Sequence, residues 1–219
     1  MKTERKEQTE VPKIESISDR ISYLTATEYP LSANVVMVEG DVFLWVYDVG
    51  SHPAVPGILK ERAERTGKEI RMILSHFHPD HIGNLSEISC EEIYQGKNTF
   101  RYTKTGMVME EDTWFQDGDV RLHLFPIPSS HAKGSLALEV DETWCFLGDA
   151  AYATQKNGQT VYNAERLLAE IRVLKNVRAP HFFLSHSEPF QQNKEDVLEW
   201  MEAIYAKRKQ GEAYISCEF

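Results

Sequence analysis

The sequence predicts an α/β protein in which two β-sheets pack together with helices on the outside. Three observations carry that expectation. Strand-like runs lead into helix twice along the chain, each half ending in an amphipathic helix. Residues 70–74 form a nearly continuous apolar run, as suits a strand covered on both faces. Finally, 219 residues that are 42% hydrophobic and 26% charged can bury one sizeable core without two large domains.

The first stretch, residues 1–18, alternates charge with few apolar side chains and reads as a tail or extension, leaving residues 19–219 as one domain. Strands are expected at 21–27, 33–38 and 42–47, with Glu39-Gly40-Asp41 as a hairpin turn between the last two. A helix over 54–66 places Leu59 and Ala63 on one face, and Gly67 stops it. Residues 105–116 read as a loop whose Met107, Val108, Met109, Trp114 and Phe115 either pack on the core or wall a substrate pocket. Strands return at 120–127, 135–140 and 143–147. A helix over 160–174 carries Val161, Ala164, Leu168 and Ile171 on one stripe. A strand at 182–185 precedes a final helix from 193 to about 207, with Val197, Trp200, Met201 and Ile204 on its buried face.

The strand at 70–74 runs straight into His76-Phe77-His78-Pro79-Asp80-His81, four candidate ligands in six positions. Imidazole and carboxylate are borderline donors that suit zinc, iron or manganese. Alternate residues of an extended segment point the same way, so His76 and His78 can meet one ion. Asp80 and His81 follow in the turn and can reach a second. Three more candidates each end a strand: His131, Asp149 after Gly148, and His186. Each alone is ordinary, but together they complete two three-residue ligand shells and a bridging carboxylate.

The run His76 to His81, followed in order by His131, Gly148-Asp149 and His186, resembles the metallo-β-lactamase-fold hydrolases. Asn34, Asp48-Val49-Gly50 and the turn Asp117-Gly118-Asp119 fit the same pattern. The resemblance implies a four-layer αββα sandwich, two mixed sheets flanked by helices, with the site at one edge. It implies that His76, His78 and His131 hold one metal, that Asp80, His81 and His186 hold another, and that Asp149 bridges them. Asp48 would support a metal-bound histidine through its second nitrogen. The family's Gly-Gly after the cluster is Gly83-Asn84 here, and its Pro-Gly-His-Thr-Pro-Gly is Pro128-Ser129-Ser130-His131-Ala132-Lys133-Gly134. Lys133 is thereby a candidate contact for an anionic substrate group.

The implied activity is hydrolysis of a small ester, thioester or lactone by a hydroxide shared between two divalent ions, zinc first and iron or manganese as alternatives. Asp80 would orient the nucleophile and take its proton. Tyr152, three residues beyond Asp149, resembles a substrate-contacting tyrosine of the lactonase branch and would donate to the developing oxyanion. True β-lactamases of this fold usually lack the bridging aspartate. The glyoxalase II-like enzymes share all seven ligands but add a helical domain after the last histidine. The alternatives are a phosphodiesterase or nuclease of the same fold and a non-hydrolytic diiron redox or metal-binding module. The diiron class places Glu where His78 stands.

The net charge of −10 disfavours a nucleic-acid partner, which needs clustered Lys and Arg. No apolar run approaches the roughly 20 residues needed to cross a bilayer. The charged start of the chain has no apolar leader, so the expected setting is cytoplasmic. Cys90, Cys145 and Cys217 lie far apart and read as reduced thiols. The expected partner is a small-molecule substrate; homo-oligomerisation is left open.

Overall fold

The computed structural model describes residues 10–217. In chain order, β1 (Ile14–Ser16), β2 (Ile21–Leu24), the hairpin β3 (Thr27–Glu28) and β4 (Leu31–Ser32), β5 (Val35–Glu39) and β6 (Phe43–Tyr47) run into α1 (Val55–Thr66). Next come β7 (Glu69–Leu74), the single turn α2 (Pro79–Ile82), β8 (Glu92–Gln95), α3 (Lys97–Thr103) and β9 (Met107–Val108). The second half holds β10 (Thr113–Asp117), β11 (Val120–Ile127), β12 (Ser135–Val140), β13 (Trp144–Gly148), β14 (Thr154–Lys156) and β15 (Gln159–Asn163). It ends with α4 (Ala164–Asn176), β16 (His181–Leu184), β17 (Gln191–Asn193), α5 (Lys194–Tyr205) and β18 (Tyr214–Ser216).

Two large sheets result, ordered β1-β2-β5-β6-β7-β8-β9 and β10-β11-β12-β13-β16-β17, with a small sheet β14-β15-β18 beside them. Both large sheets are mixed: β6, β7 and β8 run parallel in the first, and β13 and β16 in the second. The side chains follow the period of two expected of strands. Trp45, Tyr47 and Ile73 of the first sheet face Leu122, Leu124, Leu138 and Phe146 of the second. The alternate residues Leu44, Val46, Met72 and Leu74 pack outward against Val55 and Leu59 of α1. Phe125, Ala137, Cys145, Leu147 and Phe182 pack outward against Leu167, Ile171 and Leu174 of α4 and Val197 and Met201 of α5. The four-layer αββα order is therefore built from three apolar interfaces, each fully buried aliphatic side chain contributing about 1.5–3 kcal/mol.

Three stretches differ from expectation. Ile14–Ser16, inside the expected tail, pairs antiparallel with β2, although all three residues are exposed. An edge strand needs only backbone pairing, which charge patterning does not reveal; the rest of that tail before Glu10 lies outside the described residues. The helix expected from 160 begins at Ala164. Gln159–Asn163 is instead a strand held between β14 and β18, and the Asn163 side chain caps the helix by accepting from Arg166 N–H at 3.0 Å. Residues 105–116 are edge structure: Met107 pairs beside Tyr94, and Phe115 packs 5.1 Å from the Trp45 ring and 4.9 Å from that of Tyr94. They extend the two sheets and seal the core between them.

The turn after β10 ties the sheets together. Buried Asp117 accepts from the backbone N–H of Val42 and Phe43 at 2.8 and 3.0 Å and from Trp45 Nε1 at 2.9 Å. Gly118 follows at φ +62°, where a Cβ would lie 2.0 Å from the Asp41 side chain, so only glycine fits. Burial pushes the Asp117 carboxyl up, but these donors outweigh it and lower its pKa. Asp117→Ala strands three donors in the first sheet and is expected to cost about 2–3 kcal/mol. Urea unfolding should show this as a lower midpoint at unchanged slope; an unchanged midpoint would contradict the role.

Candidate metal centre

All seven residues singled out from the sequence converge at one edge of the sandwich. β7 delivers His76 directly. His78 stands just before the turn α2, which Pro79 starts with its fixed φ and which aims Asp80 and His81 back at the same point. His131 arrives on the loop between β11 and β12, Asp149 follows β13, and His186 follows β16. Ligand atoms of His76, His78 and His131 lie within 4.8 Å of one another, and so do those of Asp80, His81, Asp149 and His186. Asp149 joins the groups: Oδ2 is 3.3 Å from His131 Nε2 and Oδ1 is 3.4 Å from His81 Nε2.

Hydrogen bonds to the far side of the His81, His76 and His131 rings fix which of their nitrogens faces the centre. Asp48 Oδ2 lies 2.8 Å from His81 Nδ1, so Nδ1 carries a proton. Asp48 also accepts from Ser75 N–H and Ser75 Oγ–H, both at 2.7 Å. Since Ser75 Oγ donates to Asp48, it accepts from His76 Nδ1 at 3.0 Å. The Ala153 carbonyl takes the His131 Nδ1 proton at 3.0 Å. On His76 and His131 the Nε2 lone pairs are thus turned inward, 2.9 and 3.0 Å from His78 Nδ1. His81 Nε2 and Asp149 Oδ1 are moreover buried without a hydrogen-bond partner, a costly state for polar groups away from water. The donor set and these two orphaned atoms fit a pair of divalent ions.

Electrostatics in the metal-free state agree. Burial lowers the pKa of His76 well below its usual value, helped by the neighbouring histidines, so its ring is neutral and ready to ligate. Burial and His131 lower His78 in the same way. Burial also opposes the charge on His81, yet Asp48 and Asp149 outweigh it and raise its pKa to about 10. Burial raises Asp80, but a hydrogen bond from His186 at 3.0 Å and the His81 charge bring it down to about 2. Asp80 is therefore a carboxylate throughout the neutral range.

The backbone is shaped to this end. Asp48 and His186 adopt left-handed conformations at φ 59° and 63°, which cost a non-glycine residue about 1–2 kcal/mol. Asn34 Oδ1 holds His186 by accepting its backbone N–H at 3.2 Å. Gly148, before Asp149, has φ +55°, and a Cβ there would lie 2.7 Å from Ser75. Ser75 was not picked out from the sequence; its one signal was its place at the strand end just before His76.

Tyr152 stands otherwise than expected. The Tyr152 hydroxyl donates to the Ser185 carbonyl at 2.8 Å, so its proton braces the loop before His186 and is not free for an oxyanion. Its ring remains near the site, 6.5 Å from that of His131. Lys133 is exposed on the His131 loop and enters none of the ion pairs between described residues.

The metallo-beta-lactamase superfamily model matches residues 29–89, which include His76 to His81. No curated protein matches the chain. Among solved structures, a metallo-beta-lactamase from Pontibacter korlensis is 13% identical, with a TM-score of 0.69 over 90% of this chain and 100% of that one. A stereoselective inverting sec-alkylsulfatase from Pseudomonas sp. is 12% identical, with a TM-score of 0.69 over 90% of this chain and 42% of that one. A flavo di-iron protein from Thermotoga maritima is 12% identical, with a TM-score of 0.67 over 92% and 64%. The fold is that of the metallo-beta-lactamase proteins. The likeness to these structures shows the fold, and the family model matches the segment that carries the first four candidate ligands. No helix among the described residues is long and apolar enough to cross a membrane.

Proposed function

We propose that the chain is a dinuclear metal-dependent hydrolase of a small ester, thioester or lactone. The observation that carries the reading is the pair of ligand groups joined by Asp149, with His81 Nε2 and Asp149 Oδ1 buried and unpartnered between them. His76, His78 and His131 would hold one ion, Asp80, His81 and His186 the other, and Asp149 both; zinc suits this donor set, as do iron and manganese. Ions held there would lower the pKa of a shared water from about 15.7 towards roughly 7 and polarise a carbonyl. Asp80, ionised and anchored by His186, accepts a hydrogen bond from the attacking water and fixes its direction. Asp48 and Ser75 keep the His81 and His76 rings from turning.

Ester, thioester, lactone and phosphodiester substrates, offered to metal-loaded protein, test the reading. Turnover of a carboxylic ester, thioester or lactone, lost on chelation and restored by adding back the metal, is the expected result. Metal-loaded protein that cleaves none of them while binding a redox cofactor tightly would overturn it.

A further inference from the structure

The loop that carries His131 departs from the family pattern around Ser129 and Ser130, and the two hydroxyls have definite work there. Buried Ser129 Oγ donates to the Ala150 carbonyl at 2.7 Å and accepts the His131 N–H at 3.0 Å. One side chain thus joins the neighbour of Asp149 to the backbone of His131. Ser130 Oγ accepts the Asn163 N–H at 3.0 Å, and the Ser129 carbonyl accepts from the Arg166 guanidinium at 3.0 Å. The outer side of the loop is thereby pinned to the start of α4.

Residues 148–153, which include Asp149, hold the His186 loop as well. Ser185 N–H donates to the Gly148 carbonyl at 3.0 Å, and the Tyr152 hydroxyl donates to the Ser185 carbonyl at 2.8 Å. His186 follows at φ 63°, a strained conformation that persists only where its surroundings over-determine it. The segment is itself fixed from behind: the buried Tyr162 hydroxyl donates to the Ala151 carbonyl at 3.0 Å. One short stretch therefore carries the bridging carboxylate and is tied to two ligand loops, by Ser129 to that of His131 and by Tyr152 to that of His186.

We propose that Ser129 and Tyr152 are positioning residues of the metal centre, each serving one ion. Ser129 sets His131 against Asp149 for the ion of His76, His78 and His131; Tyr152 sets His186 against Asp149 for the ion of Asp80, His81 and His186. Both act through the ligands they hold. Ligands fixed beforehand lose less freedom when an ion binds, so cutting one tie weakens the ion on its own side. Partners behind metal ligands are worth about 10–100-fold in affinity. The inference rests on the hydrolase reading only for its two ions, and its test reads metal binding.

Two measurements on the full chain test it. Competition with a chromophoric chelator gives the two zinc dissociation constants, and zinc-edge anomalous diffraction at limiting zinc gives the occupancy of each position. Ser129→Ala should weaken the ion of His76, His78 and His131 about tenfold or more and leave the other within about twofold. Tyr152→Phe, which removes only the hydroxyl, should do the reverse. Ser129→Thr keeps a hydroxyl and should recover the loss. A merely structural role would lower the urea midpoint without favouring either position. Equal weakening of the two positions, or none, in either folded variant overturns the proposal; Tyr152→Phe decides alone should Ser129→Ala not fold. Wild type that binds fewer than two zinc ions overturns it together with the dinuclear site. One-sided losses in a protein that cleaves no ester, thioester or lactone uphold the two positioning roles, and only the hydrolase reading falls.

Discussion

Asp149→Ala should strip the protein of paired metal binding and of more than about 100-fold of its turnover, since weaker changes in partners behind the ligands already cost 10–100-fold. Asp149 is the candidate ligand among the described residues that reaches both groups, through Oδ2 towards His131 and Oδ1 towards His81. Its removal also exposes His81 to a second loss. With Asp149 gone, one of the two carboxylates that raise the His81 pKa to about 10 is missing, and the ring is held by Asp48 alone. In the metal-free protein His81 carries a proton throughout the neutral range, so loading a metal at pH 7 must expel it, and loading should strengthen as pH rises. Elemental analysis after metal loading and desalting distinguishes the positions. Asp149→Ala should retain fewer than two ions per chain, and His131→Ala should weaken one group while leaving the Asp80, His81 and His186 group able to bind. Two tightly held ions in Asp149→Ala would contradict the bridging assignment.

The ligands were legible because their types are scarce and their spacing follows strand geometry: His76 and His78 share a direction, and a proline-started turn brings Asp80 and His81 round. The strand at 120–127 was read to the residue, because apolar runs bounded by turn signals report burial directly. What failed depended on contacts distant in the chain. Tyr152 looked like a free donor from its place after Asp149, but the acceptor that takes its proton is Ser185, 33 residues on. α3 was missed because its N-cap is Gly96, which carries no capping side chain, and only Thr99 on it is buried. Residues 160–163 read as the start of a helix because Val161 fits the apolar stripe of α4; they pair instead with Thr154–Lys156 across the turn Asn157-Gly158 and with Tyr214–Ser216, more than fifty residues on. That second partner is not written locally, whereas ligands grouped on one turn are.

Glu170→Leu should stabilise the fold by about 1–3 kcal/mol at neutral pH, the penalty of a buried polar group left without a partner. Glu170 sits on the buried stripe of α4 with Ala164, Leu167, Ile171 and Leu174, is fully buried, and neither carboxyl oxygen has a hydrogen-bond partner among the described residues. Burial alone pushes its pKa well above the usual carboxylate value. The sign follows from linkage. The unfolded chain loses this proton near pH 4.3, whereas the folded chain keeps it to higher pH. The stability that the protonated form preserves is therefore complete below about pH 4.3 and drains away as pH climbs from there towards the raised folded-state value. Leucine, of similar bulk and without a charge to bury, escapes that loss. The gain in melting temperature should be roughly 2–10 °C for a chain of this size and larger at pH 8 than at pH 5. Melting curves for wild type and variant that fell in parallel between those two pH values would show that Glu170 titrates as it does in the unfolded chain, and the buried, neutral carboxyl would have to be abandoned.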